Sequence, residues 1–110
     1  MNKSNLLQDL IATYEKHGWR VRQVLLKSET RSDLQGDAEA LLQKFDTREA
    51  EVDALWFSRT SHNNREAWEL RLLAEMQYAL FETFESDETE EQRNEVKLEM
   101  ESRLRDYATR

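Results

Sequence analysis

The alternation of apolar and polar positions is most informative over residues 52–73. Val52 to Arg59 reads Val-Asp-Ala-Leu-Trp-Phe-Ser-Arg, rich in large apolar side chains. The polar residues Thr60 to Asn64 follow, and Asn63 and Asn64 tolerate the positive φ of a tight hairpin connection. From Arg65 to Leu73 the period becomes two. Trp68, Leu70 and Leu72 fall on one face, and Ala67, Glu69 and Arg71 on the other. The pattern predicts an antiparallel hairpin at about 52–73, at the centre of a small sheet. Leu55 and Phe57 are expected to share the face of Trp68, Leu70 and Leu72. Trp56, Glu69 and Arg71 are then expected on the opposite, polar face. Arg59 is expected near Glu66 or Trp68, as a cross-strand ion pair or a cation–π contact.

A helical pattern competes with this one. Leu41, Phe45, Val52, Leu55 and Arg59 nearly follow a heptad. The apolar residues of 66–84 also fit a wide helical stripe, with Asn63 or Asn64 as its cap. The absence of proline and the presence of only two glycines suit helices as well. The polar break and the aromatic content favour strands. The expected class is therefore α+β: an N-terminal helix, an antiparallel sheet of three to four strands centred on the hairpin, and a C-terminal helix. An all-α helical bundle is the alternative.

The flanks follow from the same periods. Leu6, Leu7, Leu10, Ile11 and Tyr14 form one helical stripe, with Ser4 or Asn5 as cap and Gly18 closing the helix after Lys16 and His17. That predicts a helix over about 5–17. Trp19 to Lys27 reads as a strand, with Trp19, Val21 and Leu25 facing one way and Arg20, Arg22, Val24 and Leu26 the other. Residues 28–37 read as a loop. Residues 37–45 read as a short helix capped by Asp37, and the charged stretch 46–51 as a return to the hairpin. Tyr78, Leu80 and Phe84 alternate with Ala79, Phe81 and Thr83, which predicts a strand, and Glu82 on the first face places it at an edge or near a covered rim; a helix using Met76, Leu80 and Phe84 is the alternative. Ser86 or Asp87 can cap a last helix over about 87–107. Its apolar seam of Val96, Met100, Leu104 and Tyr107 is narrow, and leaves one edge for solvent or a second subunit.

The chain has 110 residues and a net charge of −7, and a single domain is expected over 1–110. Residues 1–65 carry ten basic and ten acidic side chains, and residues 66–110 six and thirteen, so the whole imbalance lies in the second part. Phosphate backbones and anionic membranes are poor partners for that part. Arg20, Arg22, Lys27 and Arg31 cluster in the neutral half, without the signature of a nucleic-acid-binding fold. With no cysteine and no signal-like apolar segment, the cytoplasm is the expected compartment. No stretch approaches the roughly 20 apolar residues of a membrane span.

Catalytic chemistry finds no support. His17 and His62 lack a partner at i+3 or i+4, so no metal or other cofactor is expected. The acidic run at 87–91 lacks the glycine and the ligand spacing of a calcium loop. There is no Gly-x-Ser-x-Gly elbow, and Ser58, Ser61 and His62 have no evident third group to orient a base. No catalytic residue is assigned. The binding candidates are Trp56, Arg59, Glu69 and Arg71, an aromatic among charges on the polar face of the hairpin. Trp56 is exposed if helices cover one face alone, and buried if the last helix or residues 38–45 lie over it.

The succession helix, strand, helix, hairpin, strand, helix in a small acidic chain is similar, at fold level, to secretion-chaperone-like dimers. That resemblance implies a homodimer and assigns no site. Three functions are expected, in this order. The first is a non-enzymatic interaction or adaptor/chaperone-like module acting as a homodimer, with a protein or a second copy as partner. The second is a small-molecule-binding or hydrolytic domain with a pocket near Trp56 and Arg71. The third is nucleic-acid regulation through Arg20, Arg22 and Arg31.

Overall fold

Both faces of the central strand are buried, and this decides the architecture. The computed structural model describes residues 2–34 and 36–109. In chain order the elements are α1 (Lys3–Lys16), β1 (Arg20–Leu26), α2 (Ser28–Asp33), α3 (Asp37–Leu42), β2 (Thr47–Glu49), β3 (Ala54–Thr60), β4 (Glu66–Leu72), β5 (Ala79–Phe84) and α4 (Glu90–Ala108). The five strands form one sheet in the order β2-β1-β3-β4-β5. The class is α+β, as expected. The sheet has five strands rather than three to four, and it is mixed: β2 runs parallel to β1, and every other pair is antiparallel.

The layers follow from the strand sequence. Residues Ala54 to Ser58 of β3 are all buried, which requires cover on both sides. On one side α1 and α3 meet Val24, Leu26, Leu55 and Phe57, with Leu7, Ile11, Ala38 and Leu42 from the helices. On the other side α4 brings Met100 and Leu104 against Leu25, Trp56, Trp68, Leu70, Leu80 and Phe84. Burying a Leu or Phe side chain in such a layer contributes about 1.5–3 kcal/mol. Among the described residues, no helix is long and apolar enough to cross a membrane.

The hairpin is present, but its faces differ from those expected. Residues 61–65 form the connection, and Asn63 and Asn64 do take positive φ (59° and 62°). This loop of odd length pairs Thr60 with Glu66, so odd-numbered residues of β3 oppose odd-numbered residues of β4. Leu55 faces Arg71, Phe57 faces Glu69, and Trp56 faces Leu70. Leu55 and Phe57 therefore share the α1 side with Glu69 and Arg71. Trp56 shares the α4 side with Trp68, Leu70 and Leu72.

Strand β1 also departs from simple alternation. A bulge between Val21 and Gln23 shifts its register against β3. Val21, Val24 and Leu26 consequently share the α1 side, and Leu25 lies on the α4 side. The segment expected as a loop contains α2; Gln35, also in that segment, lies outside the described residues. The charged stretch after α3 contains β2. Helix α1 is capped by Asn2, whose side chain accepts the Asn5 N–H at 2.8 Å, rather than by Ser4 or Asn5. Gly36, not Asp37, caps α3, which ends at Leu42. Residues 79–84 are a strand, and an edge one. Helix α4 starts at Glu90 with Thr89 and Gln92 forming a reciprocal capping box, so neither Ser86 nor Asp87 is its cap.

Candidate functional site

The four candidate residues divide between the two sides of the sheet. Arg59, Glu69 and Arg71 lie on the α1 side, and Trp56 on the α4 side. Trp56 is 2% exposed, and its indole N–H donates to Glu101 at 2.8 Å. The same carboxylate takes both of its oxygens to one nitrogen of Arg48, at 2.8 Å each. Trp56 is thus covered by α4, with its polar atom satisfied.

On the α1 side, Glu69 reaches Tyr14 of α1, whose hydroxyl donates to it. The Tyr14 ring stacks on Phe57 with centroids 3.9 Å apart and planes 12° apart. Burial raises the Tyr14 pKa above the ordinary phenol value, and the hydrogen bond and negative charge of Glu69 raise it further; Arg71 opposes them. Arg71 is buried and donates through Nε to the Leu72 carbonyl at 3.1 Å. The Glu69–Tyr14 pair fastens α1 to the sheet. Glu69 is half-buried and joined to a helix, which corrects its expected place on a polar face.

The Arg59 side chain turns to Trp19 rather than to Glu66 or Trp68. Its partner across the hairpin is Ala67. Its guanidinium sits 4.5 Å from the centroid of the Trp19 ring and donates to the His17 carbonyl at 3.3 Å. Trp19 in turn meets Phe81 of β5 edge-on, with centroids 6.5 Å apart. The pairing of an arginine with an aromatic thus falls on Trp19 instead of Trp56, and it leads to the sheet edge.

At that edge Phe81 is 58% exposed, on a strand with no neighbour on its outer side among the described residues. The Leu72 N–H donates to the Tyr78 carbonyl at 2.9 Å, and the ladder continues with Leu70 opposite Leu80 and Trp68 opposite Glu82. Antiparallel strands alternate between residues that bond inward and residues that bond outward. The backbone groups of Ala79, Phe81 and Thr83 therefore point away from β4. The Thr83 N–H meets the adjacent Glu82 carboxylate, at 3.3 Å. Phe81 carried a signal in the sequence: the predicted edge strand has large apolar residues on both of its faces, and an edge strand needs only one.

Among the described residues, no group of three or more His, Cys, Asp or Glu side chains is placed to hold a metal ion. Comparisons with protein-family models, with curated proteins and with solved structures found no match to this chain.

Proposed function

We propose that the protein is a non-enzymatic interaction module that pairs with a second copy of itself through the β5 edge. The observation that carries this reading is Phe81, an exposed aromatic on a strand whose outer edge is unpaired among the described residues and whose outward backbone groups are those of Ala79, Phe81 and Thr83. Edge strands of soluble proteins are commonly blunted by charge, proline or a bulge, because an open edge recruits another strand. Here the outward-bonding residues are all uncharged.

The register is self-complementary. Two β5 strands paired antiparallel about Phe81 set Phe81 against its own counterpart and Ala79 against Thr83. Glu82 then opposes Leu80 of the second copy instead of another glutamate. A two-fold axis at Phe81 therefore avoids the one like-charge contact that the strand could make. Trp19 and Arg59 flank this point, with the aromatic and arginine character of interface anchors. The net charge of −7 on each copy opposes association, so the dimer is expected to tighten with added salt.

Amide hydrogen exchange over a concentration series tests the reading. The Phe81 amide should gain protection as the protein concentration rises, while the inward-bonded Leu80 amide stays protected throughout. A Phe81 amide that exchanges equally fast at every concentration would remove the proposal.

A further inference from the structure

A second feature lies on the far side of the sheet, and it does not depend on self-association. A cleft of about 430 Å³ opens between β1 and α4, walled by Trp56 and Trp68. Two cations converge on it. Lys97 of α4 places its ammonium 3.5 Å from the centroid of the Trp68 ring, and Arg22 of β1 places its guanidinium 5.0 Å from the same centroid. The bulge after Val21 sets Arg22 and its neighbour Gln23 both on this cleft, where regular alternation would send them to opposite sides.

The charge arrangement is unusual for this chain. Acidic side chains outnumber basic ones by 23 to 16, so a cation near the surface has carboxylates in supply. Two acids, Asp46 and Glu101, line the cleft and a third, Glu66, lies beside it, and all three are already engaged. Asp46 accepts the Gln23 amide at 2.8 Å, Glu101 holds Arg48 and Trp56, and Glu66 holds Arg93. Arg22 and Lys97 make ring contacts but no direct hydrogen bond or ion pair among the described residues; Glu66 attracts both at longer range, and Glu90 attracts Lys97. Lys97 is half-buried. Burial, and then the charge of Arg22, lower its pKa, so the fold holds it where its charge is disfavoured. Two cations converging on one indole at the mouth of a cleft are the charge arrangement that an oxyanion would complement.

We propose that this cleft binds a flat organic anion, its carboxylate or phosphate held between Arg22 and Lys97 and its body laid across exposed Leu98 and the rims of the buried Trp56 and Trp68 rings. Arginine offers a planar fork to either oxyanion, and lysine a mobile point charge. Exposed Leu98 at the rim extends the apolar surface available to the ligand body.

The test is a titration of the full chain with phenyl phosphate, benzoate, inorganic phosphate and benzyl alcohol at constant ionic strength. The Trp56 and Trp68 indole N–H signals provide the readout. The expected result is saturable binding of at least one of the two aromatic anions, tighter by about tenfold or more than inorganic phosphate or benzyl alcohol. The better of the two anions identifies the oxyanion that the site prefers. Arg22→Gln and Lys97→Met should each weaken that binding by about tenfold or more. Their melting temperatures should not fall by much, because each variant loses a contact with the Trp68 ring but also relieves the repulsion between the two cations. If neither aromatic anion saturates, or if neither variant weakens binding, the proposal is overturned. The same follows if inorganic phosphate binds as tightly as both aromatic anions, since the apolar surface of the cleft would then contribute nothing.

Discussion

The Tyr14 hydroxyl donates to Glu69 while its ring lies flat on Phe57, so one side chain joins α1 to both hairpin strands. Removing the hydroxyl with Tyr14→Phe keeps the stack and leaves a half-buried carboxylate without its donor. The expected cost is about 1–3 kcal/mol. Glu69→Gln keeps an acceptor for the hydroxyl and should cost less. Phe57→Ala removes the fully buried base of the stack and should cost about 3–5 kcal/mol. Urea denaturation of the three variants checks the order.

The same pair gives a pH dependence. The Tyr14 pKa is raised above its unfolded value of 10.0. A group that holds its proton more tightly when folded contributes stability that is fully present below the unfolded pKa and is lost as pH rises beyond it. The stability difference between the wild-type chain and Tyr14→Phe should therefore be constant at neutral pH and shrink above pH 10. Glu66 behaves in the opposite sense. Burial raises its pKa, but its bonds to Trp68 and Arg93 outweigh burial and bring it below 4.5, so its contribution should fade on acidification below that value. Denaturation midpoints of wild type, Tyr14→Phe and Glu66→Gln across pH check both directions.

Asp53 is 3% exposed and gathers three distant groups. It accepts the Lys27 N–H at 2.8 Å and the Thr30 hydroxyl at 2.6 Å, and it lies 3.5 Å from the Lys3 ammonium. Asp53→Ala would leave the start of α2 without an acceptor. The expected loss is about 2–3 kcal/mol, with the amides of 28–33 becoming the least protected helical amides in hydrogen exchange.

Helix α4 depends on a local device. The Thr89 side chain accepts the Gln92 N–H at 3.1 Å, and the Gln92 side chain accepts the Thr89 N–H at 2.9 Å. Thr89→Ala should cost about 1 kcal/mol and Thr89→Ser almost nothing, as measured by thermal denaturation.

What could be read from the sequence divides along physical lines. The hairpin, α1, α4 and the edge character of β5 were legible because their signals are local: a period of two, a helical stripe, and turn residues that accept positive φ. Helix α2 was not, because its cap is Asp53, some twenty-five positions away, and Lys27 offers no side-chain cap of its own. Strand β2 has three residues, Thr-Arg-Glu, with no apolar alternation, and only its pairing with β1 makes it a strand. The faces of the hairpin turned on the parity of one loop. Because β3 is buried on both sides, the apolar pattern could not decide that parity. The candidate site inherited the same ambiguity, which joined Trp56 to Arg71 when a sheet stands between them.

Light scattering after size exclusion, over a concentration series, tests the central claim most directly. The β5-edge account predicts a mass approaching twice 13.2 kDa as concentration rises. Phe81→Glu, which sets two carboxylates face to face at the two-fold axis, should hold the chain at 13.2 kDa with its fold intact. A wild-type chain that stays at 13.2 kDa at every concentration would contradict the account, as would a dimer that Phe81→Glu leaves unchanged.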